Sequence, residues 1–217
     1  MKNESTENYL KGIHKLGSGT GGVSTSALAR HLGIGDGSVT DMLKKLAAKK
    51  LIRYVPYRGV SLTEAGRRMA IKMTRRHRLW EIFLVRHLGY GWDEVHDEAE
   101  RLEHVTSDEM ERRLNDMLGQ PDVDPHGEPV PTAEGVIPPI KGRPLDGFKP
   151  GDSVRIMRVS DDSSAILQHT AKLGLSLGTR LTIREKRVFD GSLVVTAEAG
   201  EIFLSREVAG AIFGERD

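Results

Sequence analysis

The chain has no cysteine among its 217 residues, which excludes disulfides, thiolate nucleophiles and every zinc site built on sulfur. Any metal it holds must therefore be held by nitrogen and oxygen. It also lacks long hydrophobic runs: no apolar stretch approaches the ~18 residues needed to cross a bilayer. The amino terminus, MKNESTENY, has neither the basic start nor the apolar segment of a signal peptide. A cytoplasmic location without a membrane partner is the expectation. Acidic residues are scarce at one end. From Met1 to Arg86 there are 17 Lys and Arg against 6 Asp and Glu, and in the remainder 15 against 25, so a formal net charge of +1 conceals two oppositely charged parts. A basic first third on a nearly neutral chain points to a polyanion as its partner.

The first segment reads helix, helix, helix, hairpin. Ser5 or Thr6 is placed to cap a helix in which Tyr9, Ile13 and Leu16 recur at helical spacing. Ser24 caps the next, TSALARHL, with Gly33 at its end, and Asp36 opens a third that turns Val39, Leu43 and Leu46 inward. The stretch LIRYVPYRGVSLT is two short strands around the turn 56–59. Two short helices joined by a tight glycine turn and followed by a basic hairpin describe a winged helix-turn-helix. Its third helix exposes Ser38, Thr40, Asp41, Lys44 and Lys45 opposite the apolar stripe, small hydrogen-bonding groups for base edges and lysines for phosphates. Arg53 and Arg58 on the wing would add phosphate or minor-groove contacts. Gly17, Gly19 and Gly22 satisfy a GxGxxG pattern, but they follow a helix rather than a strand, so they read as a turn and not as a nucleotide cradle.

Thr63 caps a long helix whose second half turns apolar at Leu79, Ile82, Phe83 and Leu84, more surface than one domain usually covers; a second subunit is the natural recipient. Glycines at 89 and 91 end it. In the following helix, VHDEAERLEH places His96, Glu100, Glu103 and His104 within a stripe about 100° wide at about 100° per residue, beside an apolar stripe of Val95, Ala99 and Leu102. Upstream, His77 and Glu81 stand at i and i+4 on one face. Imidazole plus carboxylate is a donor set for first-row divalent metals. Taken singly, each of these groups reads first as a solvated charge on an amphipathic helix; six in two phased clusters favour a metal instead. Thr106 to Glu109 form a capping box opening one more helix, with Met110, Leu114 and Met117 on its inner side.

Eight of the nine prolines lie between Pro121 and Pro150, where neither a continuous helix nor an internal strand is expected. That stretch reads as a linker. After Gly151 short strands recur, with Asp190-Gly191 as a hairpin turn and a short helix near Ala165 to Lys172, enough for a small SH3-like barrel. The fold class is thus mainly α with a small β part: a winged helix-turn-helix (residues 1–73), a helical metal-binding and dimerisation domain (74–140), a linker (141–150) and a C-terminal SH3-like β-barrel (151–217).

On VHDEAERLEHVTSDEMERRL, RRHRLWE and the winged helix, the sequence resembles the diphtheria toxin repressor family of metal-dependent transcriptional regulators, which includes iron-dependent repressors and manganese transport regulators. The resemblance implies a homodimer that takes up Mn(II) or Fe(II) and then binds palindromic double-stranded operator DNA, mostly to repress uptake genes, with no small organic substrate. Carried over by position, Glu100, Glu103 and His104 match the primary metal site, completed by Asn8. His77, Glu81 and His96 match the ancillary site of iron-type members. Glu100 stands where iron-type repressors have cysteine, and Asn8 where they have methionine and manganese-type members aspartate; hard oxygen in place of sulfur favours Mn(II). Lys11 occupies a position that supplies an acidic ligand in manganese-type members, so two separate sites are expected rather than a two-metal cluster. In the tail, Asp161, Asp162 and His169 are candidates for further ancillary ligands.

Two other readings remain. A His/Glu metalloenzyme would need an open coordination position and a base, and a di-iron bundle would need Glu-x-x-His motifs, which this sequence lacks. A winged-helix transcription factor indifferent to metal would bind DNA equally with and without chelator.

Overall fold

The computed structural model describes residues 4–17, 22–56, 58–198 and 200–217. The expected glycine-rich turn at 17–22 falls for residues 18–21 outside the described residues, as does Tyr57 of the hairpin turn. Two compact units are present: one comprises Met1–His77, Glu100–Arg112 and Pro131–Ile137, the other Arg78–Ala99, Arg113–Val130 and Pro138–Asp217.

The first unit begins with α1 (Glu4–Leu16), α2 (Thr25–Leu32) and α3 (Asp36–Ala48), followed by the hairpin β1 (Ile52–Val55) and β2 (Gly59–Leu62) and the start of α4 (Glu64–Leu88). Helix α1 already runs at Glu4, so Ser5 and Thr6 lie inside it rather than capping it; Glu4 and Glu7 instead put negative charge at the positive end of the helix dipole. Ser24 accepts a hydrogen bond from the Ala27 N–H and caps α2. Gly33 ends that helix at φ +66, a left-handed conformation that lets the chain turn into α3 without a Cβ penalty. β1 and β2 pair antiparallel, and Val23 adds a bridge to Val60. The unit's core is drawn from every element: Leu10, Ile13, Leu28, Val39, Leu43 and Ile52 are all at most 3% exposed. Because α1 and α3 share this core, a displacement of one displaces the other. Helix α5 (Val95–Val105) and helix α6 (Asp108–Met117) lend their adjoining ends to this unit. Arg76, 2% exposed, donates to Glu111 at 2.8 Å and Asp108 at 2.5 Å, which fastens α6 to α4. Ser107 rather than Thr106 caps α6, by accepting from the Met110 N–H.

In the second unit, Leu79 and Ile82 of α4 pack on Leu114, Leu118 and Val130. The apolar half of α4 is therefore mostly covered within its own chain, not reserved for a partner. Met110 and Met117, read as inward-facing, are about half exposed; the inner face of α6 is Leu114 and Leu118. Part of the proline-rich stretch is folded rather than a linker. Asp122 and Val130 are joined by a backbone hydrogen bond, and Gly127, at φ +90, brings the turn so close to β4 that a Cβ there would lie 2.2 Å from the Met157 carbonyl.

The remainder of that unit is a six-stranded antiparallel sheet in the order β3-β8-β4-β5-β6-β7, built from β3 (Arg143–Pro144), β4 (Ser153–Val159), β5 (Arg180–Lys186), β6 (Leu193–Ala197), β7 (Gly200–Leu204) and β8 (Ile212–Arg216), with α7 (Ser164–Lys172) and α8 (Arg206–Ala211). Val154, Ile156, Ile183, Val195, Leu204 and Ile212 form its core, the alternation expected of a half-covered sheet. Residues 143–148, read as linker, belong to this domain: Arg143 and Pro144 pair with β8, and Leu145 and Phe148 are buried.

Candidate metal centres and nucleic-acid interface

Helix α5 carries Glu100, Glu103 and His104 on one face, as the helical spacing requires, and within the first unit α1 presents Glu7, Asn8 and Lys11. Ligand atoms of Glu100, Glu103 and His104 lie within 4.8 Å of one another. Glu103 is fully buried and His104 is 7% exposed. Glu7 Oε2 lies 2.7 Å from His104 Nδ1, so the ring donates its Nδ1–H there and keeps the Nε2 lone pair. That Nε2 is 3.7 Å from Glu103 and 3.9 Å from Glu100. It is buried without a hydrogen-bond partner, and so is Asn8 Oδ1. Glu103 is fixed from two sides: Lys11 Nζ donates to both its oxygens, at 2.7 and 2.9 Å, and His77 Nδ1 lies 2.5 Å from Oε2. Lys11 also donates to Glu100 Oε2. An orphaned imidazole nitrogen beside two carboxylates fits a hard divalent cation, with no sulfur in the set.

A second group lies in the other unit. Glu81 and Asp124 have side chains 1% exposed, as does His126, and ligand atoms of all three fall within 4.8 Å. His126 Nε2 lies 2.6 Å from the Trp92 carbonyl, which fixes the proton on that nitrogen and directs Nδ1 to Glu81 at 3.9 Å and Asp124 at 4.0 Å. Nδ1 is buried with no hydrogen-bond partner. Burial first, then the Glu81 charge, pushes the Asp124 carboxyl up to about 7, against the pull of Arg78, His126 and the Glu128 N–H. Three buried protein donors of types N, O and O again match a divalent ion.

Of the residues expected at an ancillary site, His77 meets Glu103 of the first group, Glu81 belongs to the second group, and His96 is half exposed with Nδ1 3.8 Å from Glu81. Among the tail candidates, Asp162 is exposed and accepts from Ser160 Oγ, His169 is exposed and Asp161 half-buried; the metal-ligand groups found among the described residues of the second unit contain none of them. Asp124 and His126 escaped the sequence reading, as did Glu7. Their signal was the Asp-Pro-His run inside a proline-rich stretch, where no helical spacing links it to Glu81.

On the winged helix, Ser38, Asp41, Lys44, Lys45, Arg53 and Arg58 are exposed. Thr40 is half-buried, and its hydroxyl donates to the Asp36 carbonyl one turn back. Lys44 lies 3.6 Å from Asp41. The start of α3 has Gly35 as its cap residue and no side-chain cap, so its first N–H groups point outward, an arrangement that suits a phosphate.

Comparison with known proteins agrees with the fold and the order of parts. Residues 1–60 match the iron dependent repressor N-terminal DNA binding domain, residues 63–132 the iron dependent repressor metal binding and dimerisation domain, and residues 143–216 the FeoA domain. The iron-dependent repressor IdeR of Mycobacterium tuberculosis is 38% identical over 128 residues, 59% of this chain and 56% of that protein. The match thus spans a little over half the length of such relatives. The diphtheria toxin repressor of Corynebacterium efficiens is 29% identical over 226 residues, 98% of this chain and 96% of that protein. Among solved structures, a manganese-dependent transcriptional repressor in complex with manganese is 39% identical with a TM-score of 0.89, covering 98% of this chain and 100% of that one. ScaR with bound Zn2+ is 32% identical with a TM-score of 0.81, covering 98% and 99%.

Proposed function

The chain belongs to the diphtheria toxin repressor family of metal-dependent transcriptional regulators, and on that premise we propose that it is a cytoplasmic, homodimeric repressor that binds palindromic operator DNA when loaded with Mn(II) or Fe(II). Residues 1–73 are its reading head and 74–140 its metal-binding and dimerisation region; it acts on no small organic substrate. No helix among the described residues is long and apolar enough to cross a membrane.

One observation carries this reading: His104 Nε2 is buried without a partner beside Glu100 and Glu103; Asn8 Oδ1, on the helix whose Glu7 and Lys11 reach that group, is likewise buried and unpartnered. An unsatisfied buried acceptor costs about 1–3 kcal/mol, a cost that a ligand satisfying it removes. When bound, a divalent ion supplies the positive charge that lets α1 and α5 share one set of donors. The chain's own residues prepare that set: Glu7 fixes the His104 tautomer, while Lys11 and His77 hold the Glu103 carboxylate. Since α1 and α3 share a core, locking α1 onto α5 fixes the attitude of α3. In a dimer the two copies of α3 must meet major grooves about 34 Å apart. Metal and DNA are then linked by a coupling of about 1–3 kcal/mol, or roughly 5–150-fold in affinity. All donors are oxygen or imidazole nitrogen, and this favours Mn(II).

The ancillary site is Glu81, Asp124 and His126, with His96 at its rim. His77 serves the primary site instead.

The test is selection of duplexes from a random-sequence library in the presence of Mn(II), then fluorescence anisotropy on a recovered duplex with Mn(II), with anaerobic Fe(II) or with chelator. Affinity at least fivefold higher with metal supports the reading, and equal affinity under all three conditions overturns it.

A further inference from the structure

We propose that Trp92 is a positioning residue of the second cluster, setting the angle at which His126 presents its unpartnered nitrogen to a metal ion. The inference rests on the reading of Glu81, Asp124 and His126 as a metal site. Trp92 stands between α4 and α5, in the same unit as those three residues. It meets His126 twice. Its backbone carbonyl accepts the Nε2–H at 2.6 Å, and its indole lies nearly parallel to the imidazole, the planes 20° apart and the centroids 6.0 Å apart.

The two contacts restrain different motions. The backbone of His126 is anchored already, since its N–H donates to Asp124 Oδ1 and its carbonyl accepts from the Val159 N–H, both at 2.8 Å. Rotation of an imidazole about its Cβ–Cγ bond is intrinsically broad. The hydrogen bond pins Nε2 but lets the ring plane tilt about that pin, and the stacked indole removes the tilt. Nδ1 is then aimed at Glu81 and Asp124, buried and with no hydrogen-bond partner. Groups that orient a metal-binding histidine in this way sustain its affinity without touching the ion. The same indole packs against the core of the six-stranded sheet, so the sheet's packing reaches the cluster through one side chain.

Because residue 92 supplies its hydrogen bond from the backbone, substitution removes the stacked ring and leaves the bond in place. Trp92→Leu keeps an apolar side chain for the sheet core, and Trp92→Phe keeps a flat ring as well. The test is Mn(II) binding to the full chain, followed by the electron paramagnetic resonance of the free ion, in a Glu103→Gln background that disables the primary cluster; the ion that His126→Ala removes is the second cluster's. Trp92→Leu, folded by circular dichroism, should weaken that ion's binding about 10–100-fold, and Trp92→Phe by less. A tryptophan that merely fills the core predicts that the two variants keep wild-type affinity or lose it alike, and either result overturns the proposal. A second measurement leaves residue 92 untouched: the chain has two tryptophans, so in Trp80→Phe the remaining indole is Trp92, and its fluorescence should change as Mn(II) binds. Fluorescence that stays constant while the ion binds also overturns the proposal. Absence of Mn(II) binding by the Glu103→Gln chain would instead remove the metal reading of the second cluster, and this proposal with it.

Discussion

Glu7 on α1 and His104 on α5 meet at 2.7 Å through His104 Nδ1, so the opposite nitrogen of the same ring is the one directed at Glu103 and Glu100. A carboxylate behind an imidazole fixes its tautomer and raises its basicity. Ninety-seven positions of sequence separate the two residues, and the contact joins the helix that shares the reading head's core to the helix that bears the metal donors.

Removing that support should weaken metal binding without abolishing it. Glu7→Ala is expected to lower Mn(II) affinity about 10–100-fold in isothermal titration, and Glu7→Gln, which still accepts from Nδ1–H, by less. Equal loss in both variants would mean that the carboxylate's charge, and not its hold on the ring, is what matters.

Glu103 is the most constrained donor, fully buried and held by Lys11 and His77. Glu103→Gln should eliminate the metal-dependent increase in DNA affinity while leaving the weaker, metal-independent affinity of the winged helix. Truncation to Ala should in addition lower the thermal midpoint, because breaking a buried ion pair from one side costs about 3–5 kcal/mol. A Glu103→Gln protein that still responds to Mn(II) like wild type would remove Glu103 from the ligand set.

The second cluster should give a pH signature. The Asp124 carboxyl is raised to about 7 in the folded, metal-free chain, whereas in the unfolded chain it titrates near 3.9 as an ordinary aspartate, about three pH units lower. Between those values the folded state holds a proton that the unfolded state has released. This group's contribution to stability is therefore intact below about pH 4 and declines as pH rises to about 7. Metal-free wild type should lose more thermal stability between pH 5 and pH 8 than Asp124→Asn, which keeps an oxygen for the His126 and Glu128 N–H groups that Asp124 serves. Parallel losses would contradict the assignment. Added Mn(II) should flatten the wild-type curve, since binding displaces the proton.

On the reading head, Lys45→Ala and Arg53→Ala should each weaken binding to all duplexes alike and reduce the slope of log affinity against log salt by about 1. Ser38→Ala, at the open start of α3, should instead change which sequences are preferred. A salt slope unchanged by all three would place the DNA elsewhere.

Local physics made much of this legible in the sequence. The caps at Ser24 and Thr63, the left-handed Gly33 and the inward trio Val39, Leu43 and Leu46 follow from rules that act over a few residues. Glu100, Glu103 and His104 were found because one helix carries all three. What the sequence hid was assembled from distant pieces. Glu81 gains Asp124 and His126 only because the 122–130 turn folds back, which Gly127 permits and proline content alone misrepresents as a linker. Helical spacing links His77 to Glu81, but not to Glu103, whose Oε2 its ring meets through helix packing. Met110 and Met117 were read as core from hydrophobicity, yet their α6 face is not the one that Leu114 and Leu118 bury. The two-residue β3 lies in what reads as a linker, because only its pairing with β8, some 70 residues on, makes it a strand.

The most direct test of the central claim, that the Glu100, Glu103 and His104 donors control DNA binding, is a metal titration of His104→Ala beside wild type, followed by fluorescence anisotropy on one Mn(II)-selected duplex. Wild type should bind at least fivefold more tightly with Mn(II) than with chelator, while His104→Ala, folded by circular dichroism, should bind equally weakly in both. A His104→Ala protein whose DNA affinity still rises with Mn(II) to the wild-type extent would contradict the account.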